Sequence, residues 1–467
     1  MKITDLINEE LEKPVGLFSG YLFFTLLFIS LKSVLPSIPL VWTILIIATI
    51  IALWTIIWFI IRATLPRNVK NKIGIILSIS TEDDKQKLRV KNDFLKRLGN
   101  QAKQNGIDDL VNFIHIGITK TNKVNKTLTD YTLRSKFKNE YVREAEESVE
   151  TFNKLKKKIR GHFYIWGDIK QRMDGETKFY LELDGLVMHS PLHDPVKAKL
   201  GSEFNLVWTR GINFKEKIEF KGFLLSADLT FIAIEYIIGL AAFFSGDVIL
   251  AEKLHSKLEA NLPKGLDQLP NIKHIKNSLS ELIPIECNLA AVIQLNKNDI
   301  PKAEEYLNKS FQKIPDGNYS ALITLSIIQF SYKNNPNMAL ETVRKAKKCS
   351  GNDGTWRYNE AFLLMYLGRF NEALTLYRDI TKTSFANEEV VLAEILEFNK
   401  KMTISNPKFC QSYFILGYLY YKKISNYPEG YSYFEQFLSK CKDSKFKTLH
   451  DLATKYHNDL NLRMELK

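Results

Sequence analysis

The chain has 467 residues, a length that corresponds to two to four domains. Its net charge of +13 is unevenly distributed, because residues 62–160 contain 23 Lys and Arg against 12 Asp and Glu. This segment lacks the interleaved aromatic residues of a surface that stacks nucleic-acid bases. We therefore expect attraction to anionic lipid headgroups, and nucleic acid is not the expected partner.

Residues 1–14 form a short polar arm, and two long apolar segments follow within residues 15–62. The second segment, Leu40–Ile61, carries no charge, and a helix of its length rises about 33 Å, enough to cross a hydrocarbon core of about 30 Å. The first segment, Val15–Leu31, lies at the short end of the spanning range. Two prolines between the segments favour a turn. The pattern predicts a two-helix transmembrane hairpin.

Charges and cysteines predict the compartment. The link between the apolar segments holds only Lys32, whereas Lys and Arg flank both outer ends, so the positive-inside rule places both termini in the cytoplasm. The cysteines include no CxxC pair and are expected to be reduced, as in the cytoplasm; they are Cys287, Cys349, Cys410 and Cys441. We expect a multi-pass protein of the cell membrane. A single span preceded by an interfacial helix is the open alternative, since a signal peptide has a shorter apolar core.

Residues 72–223 are predicted to form a small α/β domain. Apolar or alternating runs indicate four strands, at 72–80, 110–118, 161–167 and 178–188. Helical patterns separate the first three strands, at 85–104 and within a long polar region at 131–159. Strands that alternate with helices predict a sheet with a parallel core.

The segment GHFYIWGDIKQRMDGETKFYLELDGLV, at 161–187, combines a strand, a hairpin and a second long strand. This pattern resembles the N-terminal α/β domains of the TolB type, over about 73–187. The resemblance rests on the order of elements and on no catalytic motif. It implies a ligand-binding or assembly module.

From residue 227 the chain changes to helix pairs with a period near 34 residues. Five units fit this period, at 232–263, 284–317, 320–351, 354–387 and from Ser412 onward. Small residues recur where two paired helices must approach closely, including Gly239, Ala251, Ala291, Ala303, Ala339, Ala361 and Ala373. The pattern resembles the tetratricopeptide-repeat family over 227–467. The resemblance implies a C-terminal α-solenoid whose concave face binds a protein or peptide.

Two features depart from a regular repeat. Extra helices are expected near 272–282 and 388–402, because the spacing between neighbouring units is too long there. In the fifth unit, one additional residue shifts Gly430, Phe434 and Phe437 out of register. We therefore expect a kink in the array.

The sequence contains none of the common catalytic or nucleotide-binding motifs, including G-x-x-x-x-G-K-[ST], G-x-G-x-x-G, G-x-S-x-G and H-E-x-x-H. We therefore predict no enzyme activity and no catalytic, cofactor or metal residues. His189, His193 and Asp194 come nearest to a metal cluster, but Pro191 disfavours the helix that would align the two histidines. A polar turn is expected there.

Three other groups of polar and aromatic residues have structural interpretations. The acidic residues Asp168, Asp174, Glu182 and Asp184 are expected on an exposed strand face. His162 and Trp166 share one face of a strand, where core packing is expected. Most of a tyrosine-rich patch should pack between repeats, leaving one or two of its members for a peptide; the patch is Tyr420, Tyr421, Tyr427, Tyr431 and Tyr433.

These expectations combine into a membrane-anchored α/β and all-α protein that acts as a scaffold. Its hairpin would lie in the lipid bilayer, its repeats would bind a cytoplasmic protein or peptide, and oligomers are compatible with this organisation. The alternative is a sensor–effector, as in some bacterial immunity proteins, in which the α/β domain binds a ligand and the hairpin acts on the membrane. The hairpin has no interior charge and few small residues, which favours anchoring over a pore.

Overall fold

The structure is a computed structural model that describes residues 17–26, 40–81, 85–136, 142–174, 176–188, 194–208, 219–263, 265–266, 268–314, 318–385 and 388–465. These residues are mostly helical and include one four-stranded sheet. The chain divides into two compact units, residues 1–279 and 280–467. The predicted arm at 1–14, both ends of the first apolar segment at 15–16 and 27–31, and the link at 32–39 lie outside the described residues.

The first unit contains the apolar helices, the sheet and one helix pair. Its helices are α1 Leu17–Leu26, α2 Leu40–Ala63, α3 Lys85–Gln104, α4 Ile118–Lys136, α5 Val142–Ile159, α6 Asp194–Val207, α7 Glu219–Phe244, α8 Val248–Asn261 and the first part of α9 Pro270–Asn296. Its strands are β1 Ile73–Ser80, β2 Val111–His115, β3 Phe163–Asp174 and β4 Glu176–Val187.

Helices α1 and α2 pack against each other. The indole Nε1 of Trp54 donates a hydrogen bond to the carbonyl of Leu17 at 3.2 Å, and the hydroxyls of Tyr21 and Thr55 lie 2.6 Å apart. Gly20 permits this approach, because a Cβ at that position would lie 2.0 Å from the indole nitrogen of Trp54. The small residue in α1 therefore sets the contact between the two apolar helices.

The outer faces of α1 and α2 carry large apolar side chains. Ten of those that the structure describes are more than half exposed, namely Phe18, Leu22, Phe23, Leu26, Trp42, Leu45, Leu53, Ile56, Phe59 and Ile60. Helix α2 is 24 residues long, and Arg62 in its last turn is its only charged residue. A surface helix of a soluble protein has a polar outer face, so these two helices differ from that class.

Among the described residues, two segments are long and apolar enough to cross a membrane, Ala227–Phe244 in α7 and Pro270–Asn296, which is α9. They are 78% and 50% buried inside the protein. Length and apolar composition are also properties of core helices in soluble proteins, so these two segments are weak evidence for a membrane. In α1 and α2 the apolar segments Leu17–Leu26 and Ala48–Ile60 are shorter.

The four predicted strands form one sheet in the order β2-β1-β3-β4. Strand β1 is parallel to β2 and to β3, so Ile75 pairs with Phe113 on one side and Phe163 on the other. Strand β4 is antiparallel to β3 and forms the other edge. The predicted parallel core is confirmed. The helical region predicted at 131–159 contains the end of α4, which already begins at Ile118, and all of α5; residues 137–141 between them lie outside the described residues. Because α4 begins so early, β2 is shorter than predicted.

The second unit consists of helices. They are the remainder of α9, then α10 Ile300–Lys313, α11 Tyr319–Ser331, α12 Pro336–Lys348, α13 Thr355–Tyr366, α14 Phe370–Lys382, α15 Glu388–Ser405, α16 Gln411–Leu419 with a π turn at Tyr420–Ile424, α17 Tyr427–Lys440, a 3₁₀ turn at Ser444–Phe446 and α18 Lys447–Glu465. The helix pairs coincide with the units that the sequence period indicates. The small residues at their contacts are fully buried, as for Ala303, Ala339, Ala361 and Ala373.

The predicted interruptions of the repeat have different outcomes. A separate helix at 388–402 is confirmed as α15. The prediction of a separate helix at 272–282 is wrong, since α9 runs without a break through Pro284. The additional residue of the fifth unit is accommodated by the π turn at Tyr420–Ile424, which is followed by the left-handed residue Ser425. A π turn takes up one extra residue, so the next helix regains its register.

The structure joins two of the four cysteines, Cys410 and Cys441, in a disulfide, a pairing that the expectation of four reduced thiols did not include. Cys410 lies just before α16 and Cys441 just after α17, so the helix pair brings them together at a Cα–Cα distance of 5.8 Å. Cys287 and Cys349 are free thiols. Sequence spacing could not reveal the bridge, because 31 residues separate the two cysteines.

The redox state of this cysteine pair tests the compartment. Cytoplasmic thiols are held reduced, whereas disulfides persist in oxidising compartments. With the C-terminal part in the cytoplasm, we expect Cys410 and Cys441 to be alkylated as thiols when cells are quenched with acid before lysis, and to form the bridge only after oxidation. A bridge already present in quenched cells would place these helices outside the cytoplasm.

Gly239 tests the close approach of α7 and α8. A Cβ at Gly239 would lie 2.2 Å from Nε2 of His255, a fully buried side chain that also bonds to the Tyr236 carbonyl. Gly239→Ala is therefore expected to lower the free energy of unfolding by about 1–3 kcal/mol. Gly99→Ala is the matched control, because a Cβ in that part of α3 meets nothing within 4 Å. The control should be neutral or raise stability by about 0.5–1 kcal/mol in chemical denaturation.

Glu235 in α7 makes stability depend on pH. It is 1% exposed, burial raises its pKa to about 7, and the charge of Lys257 opposes this rise. The folded protein therefore binds more protons than the unfolded chain between about pH 4.5 and pH 7, so the free energy of unfolding falls as pH rises through this window, by about 3 kcal/mol. Glu235→Gln should remove this slope in thermal unfolding curves recorded across the range. An unchanged slope would contradict the assignment.

Candidate peptide-binding groove

An apolar groove of about 240 Å³ lies in the second unit between α11, α13 and α15. These three helices alternate in the chain with α12 and α14. The groove is lined by Ile323, Ser326, Ile327, Phe330 and Ser331 of α11, by Thr355, Tyr358, Asn359, Phe362 and Leu363 of α13, and by Val391, Glu394, Ile395, Phe398 and Asn399 of α15.

Aromatic side chains join the three helices along the groove. Phe362 of α13 makes edge-to-face contacts with Phe330 of α11 at 5.2 Å and with Phe398 of α15 at 5.0 Å. Ile327 and Phe398 remain 43% and 36% exposed, although apolar neighbours surround them. The groove thus presents an apolar surface that the second unit does not cover with its own side chains.

Asn399 places an acceptor in the apolar wall. The side chain is 1% exposed, and its Nδ2 donates a hydrogen bond to the Ile395 carbonyl at 2.9 Å. Its Oδ1 has no hydrogen-bond partner among the described residues. An amide oxygen that is withdrawn from water without a partner costs about 1–3 kcal/mol, so the groove gains if a ligand N–H bonds to it.

The wall of the groove at Tyr358 is held by a polar network. The Tyr358 hydroxyl donates to Oε1 of Glu388 at 3.1 Å, and the Lys423 ammonium pairs with the same oxygen at 2.9 Å. Burial and the nearby Glu388 raise the pKa of Tyr358. The phenol therefore remains a protonated donor and ties α13 to α15.

The rim of the groove carries a negative charge. Glu394 is exposed at the rim, and no Lys or Arg lines the groove within the described part of the chain. The volume of about 240 Å³ lies below the range of about 300–1,000 Å³ for pockets that enclose a whole small ligand. The dimensions and chemistry suit one or two apolar side chains of a peptide, with a backbone N–H for Asn399 and a cation for Glu394.

The sequence candidates for metal or acid–base chemistry do not form a site in the described residues. Register places Asp168 opposite Glu182 and Asp174 opposite Glu176 on the β3–β4 ribbon. No group of three or more His, Cys, Asp or Glu residues that could hold a metal ion occurs in the described residues. His189 and His193 lie outside the described residues, and Asp194 is the first residue of α6.

The other singled-out residues contribute to packing. Trp166 is 3% exposed, and its indole donates to Thr129 at 3.0 Å, whereas His162 is only half-buried at the start of β3. The tyrosine-rich patch packs within the second unit: Tyr420 stacks on Tyr433, Tyr421 packs edge-on to Tyr427 and bonds to Asp459, and Tyr431 stacks on His457. None of these five tyrosines lines the groove.

The sequence predicts that the concave face of the repeats binds a peptide, but the tyrosines it offers for this role do not line the groove. Whether Ile327 and Phe398 are covered depends on helix packing, which a repeat period does not determine.

No family model matches the chain, and no curated protein shows significant similarity to it. The resemblance to tetratricopeptide repeats therefore rests on the residue pattern and on the helix pairs that follow it.

Proposed function

We propose that this protein is a membrane-anchored scaffold whose helical repeats bind a peptide segment of a protein partner. The observation that carries the proposal is the groove between α11, α13 and α15. It combines exposed apolar side chains, Ile327 and Phe398, with the unpartnered acceptor of Asn399. An exposed apolar cleft with few placed polar groups is typical of a binding site.

The repeats are proposed to form a tetratricopeptide-like solenoid. Support comes from helix pairs at the predicted period and from buried alanines at their contacts. In solenoids, successive pairs present one face of their first helices as an extended binding surface. Two walls of the groove, α11 and α13, are the first helices of predicted units, and the third wall, α15, is the extra helix that follows them.

The anchor is proposed to be α1 and α2. Helix α2 has 24 residues, which correspond to about 36 Å of helix, and the outer faces of both helices are apolar. Exposed apolar residues of this size and number would be unfavourable in water but are favourable in lipid. The Lys and Arg residues that follow α2 favour a cytoplasmic location for the rest of the chain.

The proposed ligand is a peptide with a large apolar side chain next to Lys or Arg. The apolar side chain would fill the groove beside Phe362, and the cation would lie near Glu394 at the rim. Its backbone N–H would satisfy Oδ1 of Asn399.

The test is quantitative capture of proteins from native membranes by the full-length chain and by Ile327→Glu. The proposal predicts a protein that is retained by the wild type and lost with the variant. If both chains retain the same proteins to the same extent, the groove is not the recognition site.

A further inference from the structure

A second cavity, of about 700 Å³, opens in the first unit at the end of the sheet where β1 and β3 begin. It lies between the loop that follows α2 and the C-terminal end of α5. Five cationic residues line this basic pocket: Lys70 and Lys72 from the loop, and Lys156, Lys157 and Arg160 from the helix end. No Asp or Glu lines it within the described residues. We propose that the basic pocket binds a phosphate-bearing anion.

Stabilisation of helix α5 accounts for only part of this charge. Cations in the last turn of a helix interact favourably with its negative end. That effect explains Lys156, Lys157 and Arg160, but it gives no reason for Lys70, which belongs to another segment. Among the described residues, no carboxylate pairs with Lys70, Lys157 or Arg160. Within the described residues, Lys70 on one side of the cavity and Lys157 and Arg160 on the other therefore have no carboxylate counter-charge.

Hydrogen bonds hold the two sides of the pocket together. The Asn68 backbone N–H donates to the Ile159 carbonyl at 2.8 Å, which joins the loop to the end of α5. The Asn68 side chain donates to the Lys72 carbonyl at 2.7 Å and accepts from Asn112 at 3.0 Å. The loop with its lysines is thereby fixed relative to the helix before any ligand arrives, which lowers the entropic cost of binding.

Two residues that face the pocket adopt left-handed backbone conformations. Asn71 has a φ of 64° and Arg160 a φ of 61°. Asparagine tolerates this region, but arginine does so at a cost of about 1–2 kcal/mol. Glycine would be the conformationally favourable choice at position 160. The arginine retained there supplies a guanidinium to the pocket, and guanidinium binds phosphate oxygens with two parallel hydrogen bonds.

His162 lines the pocket as a neutral ring. Its Nδ1 accepts a hydrogen bond from the backbone N–H of Gly74 at 3.0 Å, so the proton of the neutral ring is on Nε2. Burial and the neighbouring Lys156 lower the pKa of His162, which keeps the ring neutral near pH 7. The neutral ring lines the pocket without adding a further charge.

The pocket has the volume for a phosphate together with the group that bears it. Asn68 is five residues from Ala63, the last residue of α2, so the chain places it at most about 18 Å from the end of that helix. A lipid headgroup and a soluble phosphate compound share the required chemistry. A ligand here is what the sensor–effector alternative would require, and the inference does not depend on the groove.

The experiment uses the purified full-length chain and two probes. Inorganic pyrophosphate is titrated by calorimetry, and retention of phosphatidic acid over phosphatidylcholine in mixed micelles is read by native mass spectrometry. The double variant Lys70→Gln/Arg160→Gly removes one cation from each side, and glycine suits the left-handed backbone at 160. Lys253→Gln/Lys273→Gln removes the same charge from exposed positions on α8 and α9 and serves as the control.

We expect the wild type and the control to bind at least one probe, and the pocket variant to bind it at least about tenfold more weakly. Loss confined to pyrophosphate identifies a soluble phosphate, and loss confined to phosphatidic acid identifies a lipid headgroup. Binding of neither probe by the wild type would overturn the inference, as would equal binding by all three chains. Arg160→Gly alone, which should fold at least as stably as the wild type, provides the same comparison if the double variant is unstable.

Discussion

Ile327→Glu is expected to weaken partner binding by about a hundredfold or more without unfolding the protein. The side chain is 43% exposed on α11, so a glutamate there is hydrated in the free protein and should change stability by no more than about 0.5 kcal/mol. In the complex, the carboxylate would be buried against Phe330 and Phe398 without a partner. That cost exceeds about 3 kcal/mol, which corresponds to the expected loss of affinity. Titration of the captured partner measures it.

A matched control and a second variant separate binding from stability. Leu462→Glu introduces the same change at a 60% exposed apolar residue of α18, outside the groove, and should bind normally. Asn399→Leu removes the buried acceptor, so its thermal midpoint should equal or exceed that of the wild type while its affinity falls. Equal loss of binding in Leu462→Glu, or full binding by Asn399→Leu, would argue against the groove.

The second large effect concerns the anchor. Leu53→Arg with Ile57→Arg places two charges on the outer face of α2, where the side chains are 54% and 46% exposed. A charge at the centre of a transmembrane helix costs about 3 kcal/mol. We therefore expect the double variant to move from the membrane fraction to the soluble fraction, or to be degraded, whereas the wild type resists extraction at alkaline pH.

The control for the anchor uses exposed apolar residues of the same unit. Leu133→Arg with Leu206→Arg changes side chains that are 53% and 56% exposed on α4 and α6. These variants should fractionate with the membrane like the wild type. A wild-type chain that washes off at alkaline pH would show that α1 and α2 do not span the bilayer.

The sheet could be predicted because its signal is local. Strand β1 is a run of apolar residues too short for a helix, and helix α3 ends at Asn105-Gly106, where Gly106 has a φ of 61°. Its predicted bounds, 85–104, match those observed. The sequence does not predict the first part of helix α4. Its first turn continues the apolar run of β2, so the change from strand to helix periodicity is not visible at Ile118.

Other features of the structure depend on contacts between residues that are far apart in the sequence. Cys410 and Cys441 meet only because α16 and α17 pair, and Pro284 stays inside α9 because the surrounding packing overrides its tendency to end a helix. Arg160 is in the left-handed region although its residue type disfavours it. No pattern along the chain predicts which polar atom remains unpartnered, as Oδ1 of Asn399 does.

The central claim is that the groove holds a peptide of another protein at a membrane. The most direct measurement places a photoreactive amino acid at position 327 of the full-length chain in native membranes, with position 462 as the control. We predict an adduct at 327 alone, in the membrane fraction, with a peptide that carries a large apolar residue next to Lys or Arg. Adducts at 327 confined to this chain or to lipid, or identical to those at 462, would contradict the claim.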